Sequence, residues 1–171
     1  HIDGAFYEKL DTWKQLSDVI DELCKNKKDY PDTKFVAFDS LDEMFRLAEA
    51  YVVEEYNKTQ TDISKRVKVI GAAYGGFQRG ESRVVDVVVS TIFKLKKAGY
   101  QILPIGHTKV KTKTDPITEI AYEQLTCNLD NKYYNAIKDK VNLVAMCYVE
   151  RKIENVKEVK DAFSKTMKQK G

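Results

Sequence analysis

The sequence has no long apolar run: none approaches the ~18 residues that a membrane span requires. Its opening residues lack the charged-then-apolar pattern of a signal peptide. Cysteine is scarce as well. Cys24, Cys127 and Cys147 are an odd set without CxxC spacing, which excludes a paired disulfide framework and fits reduced thiols in a cytosol. His1 and His107 are the two histidines, and no ligand cluster surrounds either, so a structural zinc centre is not expected. Neither charge sign dominates. A net charge of +3 does not by itself call for a polyanionic partner, although the positive charge is unevenly placed.

Also missing is the phosphate-binding pattern Gly-x-x-x-x-Gly-Lys-Ser/Thr. The nearest approach is "YGGFQRGES", Tyr74 to Ser82, where Gly75 and Gly80 have the right separation but Glu81 occupies the lysine position. A carboxylate there repels phosphate instead of holding it. The segment reads as a loop running into a helix N-terminus.

What is present is enough for one domain: 171 residues, 43% of them apolar. Trp13, Leu16, Val19, Ile20, Leu23 and Cys24 recur at helical spacing, with Asp11 or Thr12 to cap the start, and predict a helix over residues 12–26. "FVAF" (35–38) reads as a buried parallel strand ending at Asp39. Ser40 and Glu43 have capping-box spacing and open a second helix reaching about Asn57. Residues 58–82 read as a surface excursion. From Arg83 to Ala98 the valines favour strand by propensity, but two helical rows of apolar residues and sixteen residues of length favour helix. "QILPIG" (101–106) and "VNLVAMCYV" (141–149) read as two further strands, Pro104 counting against the former. Between them come "HTKVKTKTD" as a connection and a helix around 117–138; the lysine-rich end, 156–171, reads as a marginal amphipathic helix or tail.

This succession predicts an α/β fold: a mostly parallel sheet flanked by helices. Such sheets gather functional groups at the carboxyl ends of their strands, and two residues stand there, Asp39 and His107. Four apolar residues followed by Asp-Ser is the form of a Walker B segment, in which a rigid strand holds one carboxylate beside nucleotide phosphates to orient Mg²⁺. The bland alternative is that Asp39 caps the helix that follows. An aspartate-nucleophile phosphatase would need a second Asp two residues on, where Leu41 stands.

Three segments in order, "KFVAFDSLDEMFRLAEAYV", "YGGFQRGESRVVDVVVSTIFKLKKAGYQILPIGHTK" and "DKVNLVAMCYVERKI", resemble the RecA-like phage nucleotide-binding proteins, over most of residues 10–155. The resemblance implies a RecA-like three-layer core over residues 1–155, incomplete at its N-terminus, with ATP and Mg²⁺ as cofactors. It implies Asp39 as the metal-orienting and catalytic carboxylate, Ser40 beside the nucleotide, and His107 as a polar sensor of the γ-phosphate or attacking water. Lys109, Lys111 and Lys113 would then face single-stranded DNA; no aromatic interleaves them along the chain, and a solvated lysine loop is the plain alternative. Tyr133 and Tyr134 read equally as core.

The family's own P-loop and catalytic glutamate would precede His1, so the expectation is a piece of a larger ATPase, inactive alone, or a module that has lost phosphate binding. A start without methionine favours a piece. Expected for the whole protein are a homo-oligomer, a role in DNA recombination or replication, and a cytoplasmic location (the host's, if phage-encoded), without membrane association. The rival readings are a non-catalytic RecA-like module binding DNA or protein, and an unrelated α/β fold.

Overall fold

The computed structural model describes residues 5–148, 156–161 and 164–169. Its order of elements is α1 (Trp13–Lys25), β1 (Phe35–Asp39), α2 (Leu41–Thr59), α3 (Arg79–Lys97), β2 (Gln101–Ile105), β3 (Thr108–Thr114), β4 (Ala121–Cys127), α4 (Asn131–Lys138), β5 (Val156–Asp161) and β6 (Ser164–Gln169). Short 3₁₀ turns fill much of the excursion between α2 and α3. The chain divides into two compact units, 1–140 and 141–171.

The first unit is mixed α/β. Thr12 caps α1 in a full capping box: its hydroxyl accepts from Gln15 N, and the Gln15 side chain returns to the Thr12 backbone. Trp13, Leu16 and Ile20 bury the inward stripe of α1. Opposite them α2 contributes Met44, Phe45, Ala48 and Val52, and α3 contributes Val84, Val88 and Leu95. The helical rows thus outweigh the strand propensity of the valines in α3, which starts four residues earlier than the periodicity predicts. It ends at Gly99, whose φ of 86° only glycine adopts without strain. Gly99 N donates to Lys96 O and Tyr100 N to Leu95 O, the paired bonds of a Schellman stop.

β1 and β2 pair in parallel, Phe35 opposite Gln101 through Asp39 opposite Ile105. Pro104 is tolerated because neither strand has a second neighbour among the described residues, and edge strands accommodate a missing donor. Within the first unit and among the described residues the sheet is covered on one face. Val36 and Phe38, opposite Ile102 and Pro104, lie on that side, while Phe35, Leu103 and Ile105 on the other are 62%, 53% and 41% exposed. Both strands therefore depart from the fully buried reading of their apolar runs.

Three local expectations are corrected. Residues 108–114 and 121–127 form an antiparallel hairpin, not a connection and a helix; only 131–138 is helical. Val and Thr alternating with Lys suit a pleated ladder, and Asp115 shapes the turn by accepting from Ile117 N and Thr118 N. In the second unit, residues 141–148 carry no strand, and Val149 lies outside the described residues. An apolar run specifies burial, and a strand also needs a ladder partner. The lysine-rich end is not a helix: β5 and β6 pair antiparallel. A helix with so little to bury is marginal in water.

Gly80 shows how closely α3 approaches the excursion before it. A Cβ there would overlap Ile70 O and lie 3.0 and 3.1 Å from Ile70 Cδ1 and Cγ1. Alanine improves helix propensity by about 1 kcal/mol, but the obstacle is backbone, and overpacking costs about 1–3 kcal/mol. We expect Gly80→Ala to lower the urea midpoint; an unchanged or raised midpoint would show that Ile70 yields freely.

Candidate functional site

The parallel register puts Asp39 at the end of β1 and His107 two residues beyond Ile105, the end of β2, on one sheet edge. With strands about 4.8 Å apart and a rise of about 3.3 Å per residue, their Cα atoms are separated by roughly 8 Å. The Asp39 side chain is exposed and takes no hydrogen bond or ion pair among the described residues. It does not cap α2. That task falls to Ser40, whose hydroxyl accepts from Glu43 N at 3.4 Å. The reciprocal half of the expected capping box is missing because the Glu43 carboxylate is held by Arg46 instead. The Asp39–Ser40 peptide is cis.

Asp42, in the first turn of α2, links the edge together. One of its oxygens, Oδ2, accepts from His107 N at 3.0 Å and lies 3.1 Å from His107 Nδ1; the other, Oδ1, accepts from Asn128 Nδ2 at 3.0 Å. Asn128 N donates in turn to His107 O at 2.8 Å. Both ends of the β3–β4 hairpin are thereby tied to the start of α2. Burial pushes the Asp42 pKa up, but the hydrogen bonds from His107 N, Asn128 and the His107 ring, with that from its own backbone, outweigh it and hold the carboxyl below the ordinary aspartate value. Asp42 is thus a carboxylate at neutral pH.

The lysines divide. Lys109 is half-buried and donates to Asn128 O at 2.7 Å, while Lys111 and Lys113 are exposed. All three share one face of β3, where Thr126, Gln124 and Tyr122 stand opposite them on β4. Along the chain no aromatic is interleaved with these lysines; across the ladder Tyr122, 47% exposed, is directly opposite Lys113. Sequence spacing gives no sign of this, because it arises from pairing between two strands where the sequence pattern points to a connection and a helix. Tyr133 belongs to the core: its ring stacks on Phe45 with centroids 4.4 Å apart, and its hydroxyl donates to Glu49 at 2.6 Å. Burial, then the Glu49 bond, pushes that phenol far above its ordinary pKa.

The P-loop look-alike is not a phosphate cradle. Residues 74–78 all have positive φ, and α3 starts at Arg79. Glu81 is half-buried, and its Oε2 is enclosed without a hydrogen-bond partner among the described residues, so the lysine position holds a carboxylate. The Ser82 hydroxyl donates to Gln78 O and accepts from Lys132. An open groove of about 460 Å³ lined by Tyr74, Arg79, Ser82, Arg83 and Asp86 lies here and includes neither Asp39 nor His107. The strand edge, by contrast, sets an exposed carboxylate with no partner among the described residues near an imidazole oriented by Asp42.

The strand edge suits Mg²⁺ in one respect. The ion retains several waters and takes one or two carboxylates alongside phosphates, and Asp39 offers one unencumbered hard oxygen donor group. No cluster of three or more His, Cys, Asp or Glu side chains able to hold a metal is present among the described residues. No helix among them is long and apolar enough to cross a membrane.

A family model described as an AAA domain matches residues 1–169. No curated protein and no solved structure matches the chain significantly.

Proposed function

The chain belongs to the AAA domain family, a P-loop NTPase type, and from that premise we propose that it supplies the Walker B half of an ATP site of RecA-like form. The observation that carries the proposal is the exposed Asp39 carboxylate, without a partner among the described residues, at the carboxyl end of β1, with His107 at the same edge of β2. Asp39 would orient Mg²⁺ beside the phosphates, and the ion when bound supplies charge neutralisation at the β- and γ-oxygens. Ser40 starts α2 beside the site, where the positive end of the helix dipole favours anions. His107 would contact the attacking water or the terminal phosphate. The proposal includes a phage-type role in DNA recombination or replication, by an assembly of several copies. Its support is the ordered resemblance of the three segments and the Lys111–Lys113–Tyr122 face of the hairpin, which combines phosphate-neutralising charge with a stacking ring.

One observation favours a second reading. The 171 residues contain no phosphate-loop motif, and the look-alike places the half-buried Glu81 where a lysine would stand. A module binding DNA or protein without hydrolysis would have this character. Nucleotide binding separates the two. With a fluorescent ATP analogue and the intact protein, the first reading expects saturable binding that weakens by about tenfold or more when Mg²⁺ is chelated, equivalent to about 1.4 kcal/mol. Affinity indifferent to Mg²⁺, or no binding, selects the second.

A further inference from the structure

We infer that Asp42 is the positioning residue of His107, fixing the imidazole with hydrogen on Nδ1 and a bare Nε2 so that the ring accepts a hydrogen bond at the site. The inference rests on the nucleotide reading for its purpose, but its geometry is independent of it. Asp42 Oδ2 meets both the backbone N–H and the ring Nδ1 of His107, at 3.0 and 3.1 Å. An ionised carboxylate only accepts hydrogen bonds. Asp42 is ionised, and its side chain is only 19% exposed, so the short contact requires the hydrogen to be on Nδ1. In a neutral imidazole the other nitrogen then carries the lone pair.

The ring itself is open, with its side chain 69% exposed. Nothing among the described residues hydrogen-bonds Nε2, whereas two contacts set the ring's root and Nδ1 edge. Asn128 braces the same carboxylate from its other oxygen, so turning Asp42 away from the ring would break the Asn128 bond as well as the His107 contacts. The consequence is a choice of ligand atom. A phosphate oxygen offers only lone pairs and gains nothing from a bare Nε2. A water molecule can donate to it. His107 in this tautomer is therefore built to orient the attacking water and not to grip the γ-phosphate. What it supplies is a hydrogen bond, with no covalent change at the ring.

Nitrogen-15 NMR of the imidazoles in the 171-residue chain reads the tautomer directly. His107 should carry hydrogen on Nδ1 with Nε2 bare. Asp42→Ala should shift the ring toward the Nε2–H form, and Asp42→Asn, which keeps an acceptor oxygen in place, should restore the Nδ1–H form. A wild-type ring bearing hydrogen on Nε2 overturns the inference, as does an Asp42→Ala ring unchanged from wild type. In the intact protein, Asp42→Ala should lower kcat by about 10–100-fold, the usual loss on removing a partner that orients a site ligand, with KM changed less than about twofold. In a His107→Ala background the same substitution should cost almost nothing more. An undiminished loss in that background would assign Asp42 a purely structural role and overturn the inference. If the intact protein turns over no nucleotide at all, the nucleotide reading fails, and the tautomer measurement still decides the Asp42–His107 link.

Discussion

Replacing Asp39 with alanine is expected to remove Mg²⁺-dependent ATP hydrolysis from the intact protein while leaving its folding nearly unchanged. The two halves of this expectation have separate physical sources. The carboxylate is exposed and takes no hydrogen bond or ion pair among the described residues, so its loss leaves no buried partner stranded. Substitutions of that kind stay within about 0.5 kcal/mol of wild type. In hydrolysis, by contrast, the group would hold the ion that neutralises the transferring phosphoryl group. Removing one preorganised electrostatic partner costs about 10²–10³ in kcat. Ser40→Ala provides the contrasting control. It deletes the hydroxyl that accepts from Glu43 N at 3.4 Å, a long bond, and should cost about 0.5–1 kcal/mol of stability at the low end of the capping range. Thermal melts and steady-state rates on both variants decide the matter. Normal turnover by Asp39→Ala sinks the Walker B assignment; a large fall in its melting temperature would make Asp39 a structural residue after all.

The second large effect concerns the hairpin. If Lys109, Lys111 and Lys113 neutralise phosphates of single-stranded DNA, each contact adds about −0.7 to the slope of log K against log salt. Replacing all three with alanine should flatten that slope by about 2. Lys109 should contribute least, since its ammonium already donates to Asn128 O at 2.7 Å. Tyr122 makes a different prediction from the same face. Tyr122→Ala should weaken single-strand binding by about 1–3 kcal/mol, the usual contribution of one stacked base, without changing the salt slope. Duplex DNA should respond less, because its bases are already stacked on one another. Fluorescence anisotropy of a labelled oligonucleotide, titrated at several salt concentrations with the intact protein, separates the charge term from the stacking term. An unchanged slope in the triple variant returns these lysines to a solvated surface.

These expectations differ in how much of them was legible in the residues. Asp39 and His107 were readable because each follows an apolar run short enough to be a strand, and a strand end in an α/β fold is a predictable place. Asp42 was not. An acid in the first turn of a helix has an ordinary local explanation in the helix dipole, and its actual partners, His107 and Asn128, are 65 and 86 residues away. Tyr122 was hidden for a related reason, since opposition across a ladder depends on register, and register is set by the turn at Asp115 and by pairing.

By itself the sequence determined the helices α1 to α3, their inward stripes, a cap for α1 at Asp11 or Thr12, and the positions of β1 and β2. Those are consequences of spacing within a few residues, where a period of 3.6 or a short apolar run states its own geometry. It also determined that no lysine stands at position 81. Only the tertiary structure decided that 108–127 is a hairpin, that 141–148 lacks a strand, that the sheet is covered on one face, and that Asp42 clasps both ends of the hairpin. A strand is completed by hydrogen bonds to another segment, and a half-buried carboxylate by donors that the fold brings to it. Neither partner is specified by the residues next to it in the chain.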